Sequence, residues 1–139
     1  MIRLMICIFF ISSVMTSYAQ STLKEKVAMA YYAGFEKNIW DSVAAQFADD
    51  FTFTSPNNDD HINVQQFKQK CWPTAGFIKK VKYIKMIEKG DILMLLVEIY
   101  TSDNKTIRNV DVFNFNTSSK IKSIEVFFGA GEKYPGNKY

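Results

Sequence analysis

The chain has 139 residues, 47% of them hydrophobic and 15% aromatic, with a formal net charge of +3. This composition supports one compact domain with a substantial core, and the chain is too short for two domains. Basic residues are scattered apart from short groups at Lys79–Lys82 and Lys120–Lys122. Such short alternating groups suit solvent-facing strand positions better than a phosphate track, so no nucleic-acid partner is predicted.

The N-terminus has the pattern of a secretory signal peptide. A basic start at Met1–Arg3 precedes an apolar run from Leu4 to Val14 and a small-residue site at Ser17–Ala19. The pattern predicts a signal peptide over residues 1–19, cleavage after Ala19, a secreted or periplasmic location and a single domain over residues 20–139. A membrane anchor is disfavoured because spanning a bilayer takes roughly 20 apolar residues.

Cleavage after Ala19 would leave Cys71 as the single cysteine. No intramolecular disulfide could then form, so stability would rest on the hydrophobic core. Cys71 is predicted to be a small buried hydrophobic residue rather than a nucleophile.

Two helices are predicted before the first strand. Thr22 and Glu25 form a capping box, and apolar residues recur every four positions, which predicts a helix from about Thr22 to Phe35. Gly34 permits close packing or termination near its end. Asn38 is predicted to cap a second, shorter helix whose apolar stripe reaches Phe47 and which Asp49-Asp50 closes.

A short strand and a third helix follow. Phe51–Thr54 alternates like a strand, and Ser55–Asp60 is rich in turn-forming residues. Asn63 begins another capping pattern, which predicts a helix ending at Lys70 or Cys71, before Trp72-Pro73.

The second half of the chain is predicted to form an antiparallel sheet. Four strand-like runs are separated by short polar turns: Ile78–Glu88, Ile92–Thr101, Thr106–Asn116 and Lys120–Phe128. Helices followed by such a meander indicate an α+β fold, with about three N-terminal helices packed on one face of a curved, mostly antiparallel sheet. The run Ile92–Val97 is apolar at every position and is predicted to be central.

One acidic residue stands out on the third of these runs. Alternation places Asp111 on the same face as Ile107, Phe113 and Phe115, with Arg108 on the other face. An acid among phenylalanines is either a functional group in an apolar cleft or a structural one paired with Arg108, a lysine or a backbone amide.

The order of these elements resembles the nuclear transport factor 2-like superfamily, which includes SnoaL-like domains and ketosteroid isomerases. The resemblance covers residues 20–139 and is carried by Ala44–Pro56, Asp111–Phe115 and Ile121–Gly129. It implies a cone-shaped domain with a pocket. It specifies function poorly, because the superfamily includes isomerases, cyclases, dehydratases and silent binding modules.

The resemblance implies roles for three polar residues. Tyr31 falls where ketosteroid isomerases carry an oxyanion-hole tyrosine, and Asp111 falls where they carry a protonated aspartic acid. Both groups could donate to a developing enolate oxygen. Ser55 stands where those enzymes have their carboxylate base, and a serine is no base near neutral pH without a partner to take its proton. A base would have to come from the following loop, at Asp59, Asp60 or His61.

A set of further residues is predicted to line the pocket, although large aromatic side chains are more often part of the core. They are Ser55, Phe53, Phe67, Trp72, Phe113, Phe115 and Phe127. For Tyr31 too, a position in the core is the alternative to a position in the pocket. No metal site or cofactor is predicted, because His61 beside Asp59 and Asp60 lacks the spacing of a dedicated site.

Three functions are compatible with this pattern. The first is binding of a small apolar or carbonyl-containing molecule, without the isomerase reaction. The second is an enzyme of isomerase, cyclase or dehydratase type, with Tyr31 and Asp111 polarising a carbonyl group. The third is a homodimeric association module, since the resemblance implies a dimer surface on the outer sheet face, predicted at Val110, Val112, Ile124, Val126 and Phe128.

Overall fold

The computed structural model describes residues 21–128, and the predicted signal peptide and the residues after Phe128 lie outside this range. The fold is α+β, as predicted. Its elements, in chain order, are α1 (Leu23–Glu36), α2 (Trp40–Ala44), β1 (Phe47–Ser55), β2 (Asp59–Ile62), α3 (Val64–Lys70), a 3-10 helix η1 (Trp72–Phe77), β3 (Ile78–Lys89), β4 (Ile92–Thr101), β5 (Thr106–Phe115) and β6 (Ile121–Phe128).

Both predicted capping boxes are confirmed. The Thr22 hydroxyl accepts from the Glu25 amide at the start of α1, and the Glu25 carboxylate accepts from the Thr22 amide. Asn63 and Gln66 make the same reciprocal pair at the start of α3. These pairs satisfy backbone N–H groups that have no partner within the helix.

The connection between α1 and α2 differs from the prediction at one residue. Asn38 does not cap α2: it adopts a left-handed conformation with φ of 53°, and Ile39 occupies the N-cap position without a side-chain hydrogen bond. Asparagine tolerates this conformation better than most residues, so Asn38 ends α1 instead. Gly34 lets the helices meet closely, since a β-carbon there would lie 2.5 Å from Val43 Cγ2.

The structure has a β-hairpin, β1 and β2, where the sequence predicted one short strand followed by a turn. Asp49 and Asp50 do not close α2 but lie within β1, which begins at Phe47, and β2 forms where a turn was predicted. β2 pairs antiparallel with β1, and β1 pairs parallel with β6. The pairing of β1 with β6 joins strands that are distant in sequence, and local turn chemistry does not reveal it.

The sheet has six strands in the order β2-β1-β6-β5-β4-β3. The predicted meander is confirmed, because β3 to β6 pair antiparallel with their neighbours in sequence. β4 lies inside the sheet between β3 and β5. The sheet is curved, mostly antiparallel and not closed into a barrel.

The two faces of the sheet have different characters. Inward residues form cross-strand rows, Leu93 beside Phe113 and Ile124, then Leu95 beside Asp111 and Val126. The outer face carries the buried ion pair of Arg108 with Glu98. Arg108 is therefore not the partner of Asp111.

The sequence analysis assigned the side chains of β6 to the wrong faces of the sheet, because its alternation was shifted by one residue. Ile124 and Val126 are buried on the inner face, and Phe128 lies on the cavity wall described below. Phe127 points outward, with 55% of its surface exposed. A shift of one position moves each strand side chain to the opposite face, and adjacent phenylalanines give no alternation to decide between the two.

Aromatic side chains fill one end of the space between helices and sheet. Phe67 packs against Phe47, Phe51 and Phe53 with ring centroids 4.8 to 5.7 Å apart. Phe113 and Phe115 stack beneath the same end of the sheet. The opposite end, beside the C-terminal half of β4 and the N-terminal half of β5, is not filled in this way.

Candidate functional site

A cavity of about 730 Å³ occupies that unfilled end, between α1, the segment from α3 through η1, and the inner face of the sheet. Its deep wall includes Tyr31, Tyr32, Phe35, Phe53 and Phe67, all of them buried. It reaches the surface beside Phe77, Lys70 and Lys105, which are exposed. An apolar cleft of this size with a few polar groups has the form of a small-molecule site.

Asp111 lies on the floor of this cavity. It is flanked by Leu95 of β4 and Val126 of β6, and only 3% of its surface is exposed. Its Oδ2 accepts a hydrogen bond from the Tyr32 hydroxyl, while its Oδ1 has no partner within residues 21–128. Burial raises the pKa of Asp111 to about 7, and the Tyr32 hydrogen bond opposes this rise.

The tyrosine that bonds Asp111 is Tyr32, not the predicted Tyr31. Both lie on the buried side of α1, with ring centroids 5.0 Å apart. Tyr31 lines the cavity and packs its ring edge-on against Phe113. Burial, and then the nearby Asp111, raises the pKa of both phenols well above the usual value, so both remain protonated donors. The sequence analysis did not consider Tyr32, which is adjacent to Tyr31 on the same helix.

Asn109 is a polar wall residue that the sequence analysis missed. It lies two residues before Asp111 on the same face of β5, is 5% exposed and lines the cavity. Its Oδ1 also lacks a hydrogen-bond partner within the described residues. The sequence could have identified Asn109, because strand alternation places residues 109 and 111 on the same face of the sheet.

A second polar group lies on the cavity wall at β1 and β2. The Ser55 hydroxyl donates to Asp59 Oδ2 at 2.8 Å, and Lys70 Nζ donates to Asp59 Oδ1 at 3.0 Å. Both oxygens of the Asp59 carboxylate are therefore engaged. Asp60 and His61, the other predicted base candidates, pair with each other in solvent and are not on the wall.

The β4–β5 loop supplies the remaining charges of the cavity wall. Lys105 Nζ lies 2.7 Å from Asp103 Oδ2, and the Thr101 hydroxyl donates to the same carboxylate. These hydrogen bonds, from Lys105 first, lower the pKa of Asp103 to about 2. The rim thus carries balanced ion pairs, whereas Asp111 on the floor has no such pair within the described residues.

The predicted pocket residues divide into two groups. Tyr31, Asp111, Ser55, Phe53 and Phe67 lie on the cavity wall. Four predicted residues do not line the cavity: Trp72, Phe113, Phe115 and Phe127.

These four residues lie in other parts of the structure. Trp72 packs against Phe35 and Trp40, with centroids 5.1 and 5.4 Å away. Phe113 and Phe115 are buried in the core, and Phe127 lies on the outer face. Large aromatic residues supply most of a small core, so a hydrophobic pattern does not separate wall from core.

Cys71 lies on the wall as well and is only partly buried. Desolvation, and then the negative charge of Asp59, raises the pKa of its thiol to about 11. A thiol with so high a pKa is a poor nucleophile near neutral pH.

Within the described residues, no cluster of three or more histidine, cysteine or acidic side chains could hold a metal ion. None of the helices in residues 21–128 is long and apolar enough to cross a membrane.

Comparison with known proteins identifies the fold. No family model and no curated protein sequence matches the chain. Solved structures do match. An NTF2-like protein of unknown function from Cytophaga hutchinsonii is 18% identical, with a TM-score of 0.62 over 80% of this chain and 94% of that one.

Two further matches agree. A protein of unknown function with a cystatin-like fold from Methylobium petroleophilum is 14% identical, with a TM-score of 0.66 over 84% of this chain and 81% of that one. A ketosteroid isomerase-like protein from Kribbella flavida is 16% identical, with a TM-score of 0.60 over 83% and 84%. The chain therefore has the fold of the nuclear transport factor 2-like superfamily, as its sequence predicted.

Proposed function

We propose that this domain binds a small, mostly apolar organic molecule in its cavity, with the polar end of the molecule facing Asp111. The observation that supports this most is the composition of the cavity, whose aromatic wall surrounds one buried carboxyl group with an unpartnered oxygen. The volume of about 730 Å³ lies within the range of roughly 300–1,000 Å³ typical of ligand sites.

Blocking the cavity tests this proposal. Thr74 is an exposed residue on the wall, so Thr74→Trp can fill the opening without disturbing the core. Thr117→Trp adds the same side chain to an exposed turn outside the cavity. We expect 2-naphthol to bind the wild type and Thr117→Trp equally, and Thr74→Trp at least about tenfold more weakly. Equal binding to all three proteins would place the ligand elsewhere and refute the proposal.

An isomerase-type enzyme is the second candidate, because Asp59 supplies a carboxylate on the wall beside Ser55. The first candidate is favoured because the Ser55 hydroxyl donates a hydrogen bond to Asp59 Oδ2 and Lys70 Nζ donates one to Asp59 Oδ1. A base must reach within about 3 Å of the proton it removes and needs a free lone pair there.

Conversion of cyclohex-3-enone to its conjugated isomer, followed by ultraviolet absorbance, separates these candidates. We expect the wild type to be no faster than Asp59→Asn. A wild-type rate well above background that Asp59→Asn abolishes would establish the enzyme.

We further propose that the outer sheet face forms a homodimer. Ile87, Met94 and Phe127 are each more than 40% exposed there, around the partly buried Val110 and Val112. Exposed apolar area of this kind marks association surfaces. Phe127 replaces the inward-facing residues that the sequence analysis assigned to this surface.

The charges on this face suit pairing of two copies. Lys85 lies on edge strand β3 and Glu125 on β6, on opposite sides of the apolar centre, and neither has an ion-pair partner within residues 21–128. A two-fold axis parallel to the strands would bring each lysine near the glutamate of the other copy. We expect Phe127→Asp to convert a dimer to a monomer in light scattering. A wild-type monomer at high concentration would contradict this proposal.

Export remains a separate proposal, supported by the pattern of residues 1–19. We expect the mass of the protein recovered outside the cytoplasm to correspond to a chain beginning at Gln20. An exported protein that retained Met1 would contradict cleavage.

A further inference from the structure

Two residues of the cavity wall, Asp111 and Asn109, each carry a buried oxygen that accepts no hydrogen bond within the described residues. These atoms, Asp111 Oδ1 and Asn109 Oδ1, belong to successive inward residues of β5. Leaving a buried acceptor without a donor is unfavourable by about 1–3 kcal/mol, and by more for a charged group. A donor group of a ligand that reached these buried oxygens would remove this cost.

Within residues 21–128, no positively charged group pairs with Asp111. Its neighbours across the strands are Leu95 and Val126, and the titratable groups that act on it from α1 are the phenols Tyr31 and Tyr32. Tyr32 already donates to Oδ2, which favours the carboxylate form but does not neutralise it. A carboxylate at this position is best balanced by a cation from the ligand.

The cations of the cavity wall are held elsewhere. Lys70 bonds Asp59, and Lys105 bonds Asp103, each with a side chain at least half exposed. Extending either lysine to the floor would break its ion pair and bury an ammonium group, which is costly.

We propose that the pocket takes small organic amines, whose protonated nitrogen donates to Asp111 Oδ1 and Asn109 Oδ1 while an aromatic or aliphatic body fills the apolar wall. This assignment rests on the proposed function and narrows its ligand class. The rings of Tyr31, Tyr32 and Phe35 surround the approach to the floor and offer cation–π contacts to an ammonium group.

The assignment predicts a sign for the pH dependence of binding. Burial raises the pKa of Asp111 to about 7, so an amine that needs the carboxylate must displace a proton below that pH. Affinity for an amine should rise about tenfold from pH 6 to pH 8. A ketone would need the protonated carboxyl as its donor, so its affinity should fall over the same interval.

Isothermal titration with three matched probes tests this assignment. The probes are 2-phenylethylamine, 2-phenylethanol and acetophenone, and alkylamines remain protonated at both pH values because their pKa lies near 10. We expect 2-phenylethylamine to bind most tightly at pH 8 and to weaken about tenfold at pH 6. Asp111→Asn should remove this preference, so that 2-phenylethylamine binds no more tightly than 2-phenylethanol at either pH.

A second variant allows the same test if Asp111→Asn does not fold. Asn109→Leu removes one acceptor at similar size and should weaken amine binding several-fold with little effect on 2-phenylethanol. If the wild type binds 2-phenylethanol but prefers acetophenone, or binds the amine no better at pH 8, the amine assignment is wrong and the pocket function stands. If no probe binds, both fall together.

Discussion

Asp111→Asn is expected to change how the stability of this domain depends on pH. Burial holds the pKa of the folded-state carboxyl near 7, against an ordinary value of 3.8. The folded protein therefore retains the Asp111 proton over a range in which the unfolded chain loses it. Its stabilising effect is complete below the ordinary pKa, is lost as the pH rises toward 7, and does not change further above that.

The size of this effect follows from the shift. A rise from 3.8 to about 7 is roughly three pKa units, and each unit corresponds to about 1.4 kcal/mol. The free energy of unfolding should thus fall by about 4 kcal/mol between pH 4 and pH 8 through this group alone. Asparagine has no proton to lose and can still accept from Tyr32, so the variant lacks this contribution.

Urea unfolding of wild type and Asp111→Asn across this pH range provides the measurement. The quantity of interest is the difference between the two unfolding free energies, because other titrating groups cancel in it. Asp49→Asn, which removes an exposed carboxylate from β1, controls for the loss of one negative charge. If the difference between wild type and Asp111→Asn stays constant within about 1 kcal/mol, Asp111 does not hold its proton in the folded state.

Substitutions at Gly34, Arg108 and Asn63 have expected outcomes in urea unfolding. Gly34→Ala should destabilise by about 1–3 kcal/mol because its β-carbon would overlap Val43, and adding Val43→Ala should recover part of the loss. Arg108→Met should cost about 2 kcal/mol at pH 7. The cost should shrink in acid, since hydrogen bonding from Arg108 lowers the pKa of Glu98 and its stabilisation is lost as the pH falls through that pKa. Asn63→Ala should cost about 1 kcal/mol and Asn63→Ser much less, and equal losses would show that the cap of α3 contributes nothing specific.

The correctly predicted features depend on local chemistry. The caps at Thr22 and Asn63 involve residues three apart, and the meander from β3 to β6 is set by turns between consecutive strands. β1 pairs with β6, a strand distant in the chain, so local pattern did not reveal its first half, and β2 in turn depends on β1 being extended.

The candidate site was predicted only in part, because one of its contacts joins residues that are distant in the chain. Asp111 stood out as an acid among phenylalanines, and strand alternation fixed its direction. Its partner lies 79 residues away on α1, where Tyr31 and Tyr32 are adjacent and both buried. Choosing between them requires the angle at which the helix crosses the sheet, which depends on packing throughout the core.

Glu98 and Asp111 are buried carboxyl groups on opposite faces of this sheet, and their hydrogen-bond partners differ. On the outer face, Glu98 receives hydrogen bonds from Arg108 and Tyr100, and Lys82 lies 3.6 Å away. On the inner face, Asp111 receives one bond from Tyr32, and its other oxygen has no partner within the described residues. A carboxylate with a purely structural role is best satisfied by charged partners, as at Glu98. Asp111 has no charged partner within residues 21–128 at the point where the sheet borders a cavity, and this difference is the basis of the proposed ligand site.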